Sequence, residues 1–251
     1  TGCIRTAEEL AAEAYGADAA YFMVNGTTGA IQTMLMAALT PGETILVPRN
    51  VHRSIVGAMI LTGVRPVYMQ PEINTRLGIA MGVSAAAVER AVRRHPEARA
   101  ALLVYPTYYG VATELGRIAD FLHAHDMLLF VDGAHGAHFA FSDELPPSAM
   151  AAGADLSAES THKLLGSLTQ TSMLLARGGR VPAERIRAAS GIMQSTSPNE
   201  LLLTSLDLAR EQMAQEGRER LSSAIRCAHE LRRRINAIEG LWAFGVECMS
   251  G

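Results

Sequence analysis

The chain has 251 residues, of which 49% are hydrophobic and 19% charged, and its formal net charge is -3. That much apolar material excludes a disordered chain and suffices for one large domain with a full core, while the lack of a basic surplus excludes nucleic acid as the main partner. No apolar run reaches the ~18 residues of a membrane span, so no membrane partner is expected.

Taken in chain order, short apolar runs predict strands at 20–24, 44–48, 65–69, 101–105, 127–131, 155–158 and 172–176. Helical patterns lie between them, at 29–39, at 84–94 behind an N-cap serine, and at 113–123. In the last of these Leu115, Ile118, Ala119 and Leu122 fall at i, i+3, i+4 and i+7. Buried strands alternating with helices predict an α/β fold, a three-layer αβα sandwich around a mostly parallel seven-stranded sheet. After Ser197-Pro198 the pattern changes to helix upon helix. One is expected at 201–213 and a long amphipathic one at 221–238, closed by Gly240 as a C-cap. Two domains are expected: 1–239, and a second that only opens over 240–251.

Cys3, Cys227 and Cys248 form no CxxC pair and are odd in number, the usage of reduced thiols. No charged region followed by an apolar one stands at the start, so a cytoplasmic protein is expected. The chain begins at Thr1 without methionine and stops just after the apolar run 241–246. It is therefore expected to be a segment of something longer.

In an open α/β sheet, ligands sit beyond the carboxyl ends of the strands. Four predicted strand ends are rich in polar residues. Val24-Asn25-Gly26-Thr27-Thr28-Gly29 offers glycines, two hydroxyls and a helix N-terminus, which together favour a phosphate, although neither GxxxxGK[ST] nor GxGxxG is present. It also reads as an ordinary helix-entry turn. Asn50-Val51-His52-Arg53-Ser54 supplies His52, either a flat ring to stack on a ligand or a helix cap. Phe130-Val131-Asp132-Gly133-Ala134-His135-Gly136-Ala137-His138 places an acid at a strand end among small residues. Asp132, His135 and His138 could be metal ligands, but HExxH spacing is missing and nothing nearby completes a set; no metal is expected. His95, His123, His125 and His229 read as solvated, and Tyr15 and Trp242 as packing residues.

The fourth end is Ser160-Thr161-His162-Lys163. Arginine occurs 21 times in this chain and lysine once, at Lys163. A lysine amine can lose its proton and attack a carbonyl, which a guanidinium cannot. The sole lysine thus stands where a ligand is expected. An anion cradle, a carboxylate, imidazole rings and one amine form the set that pyridoxal 5′-phosphate requires. The amine would join its aldehyde, hydroxyl and N–H donors would hold its phosphate, and the carboxylate would hold a proton on its ring nitrogen. Ala134 would leave room beneath the ring.

These segments match a known pattern. Asn25-Gly26-Thr27-Thr28, 49–54, Pro106-Thr107-Tyr108-Tyr109-Gly110, 131–138, Ser160-Thr161-His162-Lys163, Leu168-Thr169-Gln170 and Ser195-Thr196-Ser197-Pro198 stand in order along nearly the whole chain. Together they closely resemble the ornithine/lysine/arginine decarboxylases of the aspartate-aminotransferase fold, the type I pyridoxal-phosphate enzymes, and specifically their large domain. The resemblance implies that Lys163 carries the cofactor as an imine, Asp132 pairs with the pyridinium nitrogen and His52 stacks on the ring. It implies Thr27, Thr28, Ser160 and His162 as phosphate ligands, with His135 near the phenolic oxygen. Gly133 stands where many relatives have an acid, and Gly29 where a serine is frequent. The implied reaction is decarboxylation of arginine, lysine or ornithine to the amine and CO2, in a homodimer or higher homo-oligomer. Relatives extend beyond this chain at both ends, so two alternatives stand beside it: another type I reaction on an amino acid (transamination, aldol cleavage or elimination), and a non-catalytic fragment that binds the cofactor or a partner chain.

Overall fold

The computed structural model describes residues 2–245. The chain enters through helix α1 (Cys3–Tyr15), then alternates β1 (Ala19–Met23), α2 (Gly26–Ala38), β2 (Thr44–Pro48), α3 (Arg53–Thr62) and β3 (Arg65–Met69). A small hairpin follows, β4 (Glu72–Asn74) and β5 (Ile79–Gly82). Next come α4 (Ala85–Arg94), β6 (Ala100–Val104), α5 (Leu115–His123), β7 (Leu128–Asp132), β8 (Leu156–Glu159), the single-turn α6 (Thr161–Leu164) and β9 (Ser172–Ala176). Helices α7 (Ala183–Met193) and α8 (Glu200–Asn236) complete it.

Seven strands form one sheet in the order β1-β9-β8-β7-β6-β2-β3. All run parallel except β9, which is antiparallel to both its neighbours. Alternate side chains feed two cores. Leu46, Leu103, Leu129, Val131 and Leu175 face α1, α4, α5 and the start of α8. Ile45, Val47, Leu102, Phe130 and Leu174 face α2, α3 and α7. This is the expected three-layer sandwich, and its strands are apolar throughout because both faces are covered. Phe130, on a central strand, is wholly buried. Phe130→Ala should cost about 3–5 kcal/mol, read as a shift in the denaturant midpoint at constant slope.

Several expectations need correction. Helix α2 begins at Gly26, three residues early, because the Gly29 N–H already bonds the Asn25 carbonyl at 3.1 Å. Thr27 and Thr28 therefore lie in its first turn. The two C-terminal helices are one helix of 37 residues. The stretch between them lacks apolar periodicity, but pairs such as Arg220–Glu216 support it, and Gly217 lets it approach closely: a Cβ there would meet Phe141 Cβ at 3.0 Å. This helix ends at Asn236, before Gly240. His123 is not merely solvated, since its Nε2 lies 3.0 Å from the buried Asp155 carboxylate. Tyr15 does pack, edge-on to Phe141, whereas Trp242 is exposed with the Arg76 guanidinium over its ring. Half of the second domain expected over 240–251, residues 246–251 with Cys248 among them, lies outside the described residues.

Candidate active site

The parallel strands β2, β6, β7 and β8 all end on one side of the sheet, and the N-terminus of α2 faces the same way. A cleft of about 730 Å3 opens there. Its lining includes all eight residues singled out from the sequence: Thr27, Thr28, His52, Asp132, His135, Ser160, His162 and Lys163. His138, the third residue of the possible metal set, does not line it, and the described residues hold no cluster of three potential metal ligands. The stretch 195–198 does not line it either.

One end of the cleft is a hydroxyl-lined cradle. The Thr27 hydroxyl hydrogen-bonds that of Ser160 and lies 3.1 Å from Ser172 Oγ, which donates to the Glu159 carbonyl at 2.8 Å. The first turn of α2, through Gly26, Thr27 and Thr28, lines this end, and a helix N-terminus favours an anion. The turn is held in place from behind. Gly26 enters the helix at φ 66°, the left-handed region that favours glycine, and its N–H donates to the Gln170 carbonyl at 2.8 Å. Gln170, itself at φ 80°, donates from its side chain to the Val24 carbonyl at 2.8 Å. Gln194, just past the end of α7, accepts from the Val24 N–H at 2.9 Å. The His162 imidazole donates to the Thr171 carbonyl.

The floor is Asp132, the last residue of β7, which is buried. Its carboxylate accepts from the Ala134 N–H at 3.2 Å. Desolvation pushes its pKa above the usual range, and the Ala134 N–H, Lys163 and His52 pull it back. His52 does cap α3, accepting from the Ser54 N–H at 3.2 Å, and it also lines the cleft; the two readings of that residue are compatible. Lys163 stands on α6 with Nζ 3.5 Å from His135 Nε2. Burial, reinforced by the charges of Lys163 and His52, lowers the His135 pKa, so that ring is neutral near pH 7. Tyr108 sits edge-on to it, and with Tyr109 and the hairpin residues Gly78, Ile79 and Ala80 it forms the rim.

This donor set fits pyridoxal phosphate: clustered hydroxyls at a helix N-terminus, a buried carboxylate, and an amine with no carboxylate partner among the described residues. The sequence matches the family model described as "Orn/Lys/Arg decarboxylase, major domain" over residues 1–249. The chain belongs to that family. Among curated relatives of this family member are the arginine decarboxylases of Halalkalibacterium halodurans, 48% identical over 99% of this chain and 50% of the relative, and of Bacillus subtilis, 46% identical over 99% and 51%. The chain thus spans about half the length of the curated relatives it matches. Its fold is that of lysine decarboxylase A from Pseudomonas aeruginosa, with a TM-score of 0.87, 27% identity, and coverage of 98% of this chain and 36% of that one. An L-threonine transaldolase from Pseudomonas fluorescens, solved in its internal aldimine state, shares the fold at a TM-score of 0.71 and 20% identity, over 85% of this chain and 47% of that one.

Among the residues that build this decarboxylase-family site, Ser172 and Glu159 had not been singled out from the sequence, and Gln170 stood only within the matched segment Leu168-Thr169-Gln170, with no role assigned. Ser172 and Gln170 reach the cradle from strands and loops about 145 residues away along the chain. A polar residue at the start of an apolar run was the only signal of Ser172. Glu159 closes the cleft's floor from below: Gly133 has no side chain, and the Glu159 carboxyl occupies the space where one would stand.

Proposed function

We propose that this chain is the cofactor-binding part of a pyridoxal-phosphate-dependent decarboxylase acting on a basic amino acid, arginine, lysine or ornithine, and releasing CO2 and the amine (agmatine, cadaverine or putrescine). The observation that carries this is the meeting of the sole lysine, a buried aspartate and a hydroxyl-lined helix N-terminus in one cleft of a chain from this family. The names of its relatives support a basic substrate.

When bound, pyridoxal phosphate supplies an electron-poor ring that takes up the electron pair left as CO2 departs. The chain's own residues bind and orient. Thr27, Thr28, Ser160 and His162 would hold the phosphate, with Ser172 bonded to Thr27 and Gln170 holding the turn at Val24 and Gly26 that leads into them. Asp132 keeps a proton at the ring nitrogen, which requires that its carboxylate be charged; the charges of Lys163 and His52 favour that state. His52 covers one face of the ring, and Ala134, with only a methyl group, leaves room on the other. Lys163 would anchor the group covalently through Nζ. His135, neutral beside Lys163, can accept a proton from Nζ.

The large domain over 1–239, the opening of a second domain at 240, a homodimeric or higher assembly and a cytoplasmic location belong to the same proposal. A second reading, a chain that binds the cofactor without turnover, is the alternative that the same experiment separates. Incubation with pyridoxal phosphate and each of L-arginine, L-lysine and L-ornithine, with CO2, amine and keto acid measured separately, tests the proposal. CO2 and amine from one of the three are expected. Keto acid instead of CO2 overturns decarboxylation in favour of transamination, and cofactor binding with no product favours the second reading.

A further inference from the structure

Glu159 is a buried acid to which the chemistry above gives no task. It ends β8 beside the end of β7, where Asp132 pairs in register with Ala158. It is only 4% exposed. A Cβ at residue 133 would lie 2.6 Å from its Cδ, so the carboxyl sits directly against the backbone that follows Asp132. Its Oε1 accepts from Ser157 Oγ at 2.5 Å, while Oε2 has no hydrogen-bond partner.

The groups that face Glu159 are few. Asp132 faces it from β7, and the Tyr15 hydroxyl, also unpartnered and driven up by burial and then by Glu159, faces it from α1. Ser157 is on its own strand. No cation acts on it among the described residues. Lys163 and His52 act on Asp132 instead, which also has the Ala134 N–H. Two acids on adjacent strand ends in a buried site cannot both ionise at little cost. The donors and cations favour charge on Asp132, so the remaining proton belongs to Glu159. Burial, partly offset by Ser157 and reinforced by Asp132, pushes it up to about 8.

We propose that Glu159 is a positioning residue that holds the proton of a two-acid pair, and that placing a cationic ring nitrogen against Asp132 draws this proton off. The O–H bond of Glu159 breaks and the proton leaves to solvent; nothing is oxidised or reduced. The inference rests on the cofactor reading above. By linkage, a ligand that lowers the pKa of an acid binds more tightly as pH rises through that pKa.

The test compares the full chain with Glu159→Gln, which stays neutral, and Ser157→Ala, which removes the one donor that favours the charged form. Pyridoxal phosphate is titrated into each protein, freed of cofactor, from about pH 7 to about pH 9, and binding is followed by absorbance. The wild-type affinity should rise several-fold relative to Glu159→Gln across that range, and in Ser157→Ala the rise should move to higher pH. Thermal unfolding of the free proteins is the second arm. An acid raised from 4.5 to about 8 gives stability that is complete below 4.5 and lost as pH climbs towards 8. The melting temperature of Glu159→Gln should therefore gain on wild type through that window.

Normal binding with parallel affinity profiles in wild type and Glu159→Gln overturns the inference and leaves the cofactor reading standing. If Glu159→Gln does not fold, an unmoved profile in Ser157→Ala overturns it. No binding by the wild type at any pH overturns the cofactor reading and this inference with it, and the melting arm then still decides whether Glu159 holds a proton in the fold.

Discussion

Lys163→Ala should abolish the absorbance band of lysine-bound pyridoxal phosphate while leaving the fold intact. The residue stands on a single-turn helix with its side chain exposed to the cleft, and its Nζ lies 3.5 Å from His135 Nε2. Truncating it leaves no cavity and no buried partner unpaired, so stability should stay within about 0.5 kcal/mol. The cradle built by Thr27, Ser160 and Ser172 does not depend on it, so phosphate should still bind. Turnover should fall by at least about a thousandfold, some 4 kcal/mol of barrier, because the sequence holds no second lysine to replace it. Lys163→Arg is the sharper comparison. It restores the positive charge felt by Asp132 and His135 but supplies a guanidinium that stays protonated and cannot attack an aldehyde. Both variants should lack the band. A spectrum equal to wild type in either one removes Lys163 from the chemistry.

The sheet was legible in the sequence because its strands are buried on both faces and appear as unbroken apolar runs. The bounds of β2, β3 and β9 match those expected, and β1, β6, β7 and β8 are displaced by one residue. The reversed direction of β9 has no counterpart in the sequence, since hydrophobic period does not encode strand polarity. Helices were legible where one face is polar, as in α4 and α5. Helix α3, apolar nearly all round, shows no face, and α1 buries mostly alanines at Ala7, Ala11 and Ala12. Both were missed for that reason.

The cleft was found by looking just past each apolar run, a rule that works because parallel strands end on one side. What could not be read were contacts that depend on the order of strands. Ser172 reaches Thr27 only because β9 lies between β1 and β8, and Glu159 reaches the underside of Gly133 only because β8 adjoins β7. Glu159 falls between the expected strand 155–158 and the segment 160–163, where a lone acid looks like a solvated residue at a strand end. The sandwich buries it instead, since helices cover both faces.

Asp132→Asn should separate chemistry from stability, with the two moving in opposite directions. Asparagine keeps the size of the side chain, and its carbonyl oxygen can still accept from the Ala134 N–H, so the floor keeps its shape. What disappears is a negative charge in a buried place. An acid whose pKa burial has raised contributes stability below its unfolded value of 3.8 and loses it as pH rises through the higher folded value. That loss grows as pH rises, so the melting temperature of the variant should gain on that of wild type as pH is raised. Removing the charge also relieves Glu159, whose pKa Asp132 helps to raise. Turnover should behave otherwise. Without a carboxylate the ring nitrogen has no counter-charge to hold its proton, and the neutral ring accepts electrons poorly. A fall of about a thousandfold or more is expected, equivalent to some 4 kcal/mol. Asp132→Glu should recover little, because an extra methylene in this packed floor displaces the carboxylate. Paired measurements of melting temperature and steady-state rate on the three proteins decide the matter. A fall in both for Asp132→Asn would mean that the aspartate serves the fold, and an undiminished rate would mean that it does not hold the ring.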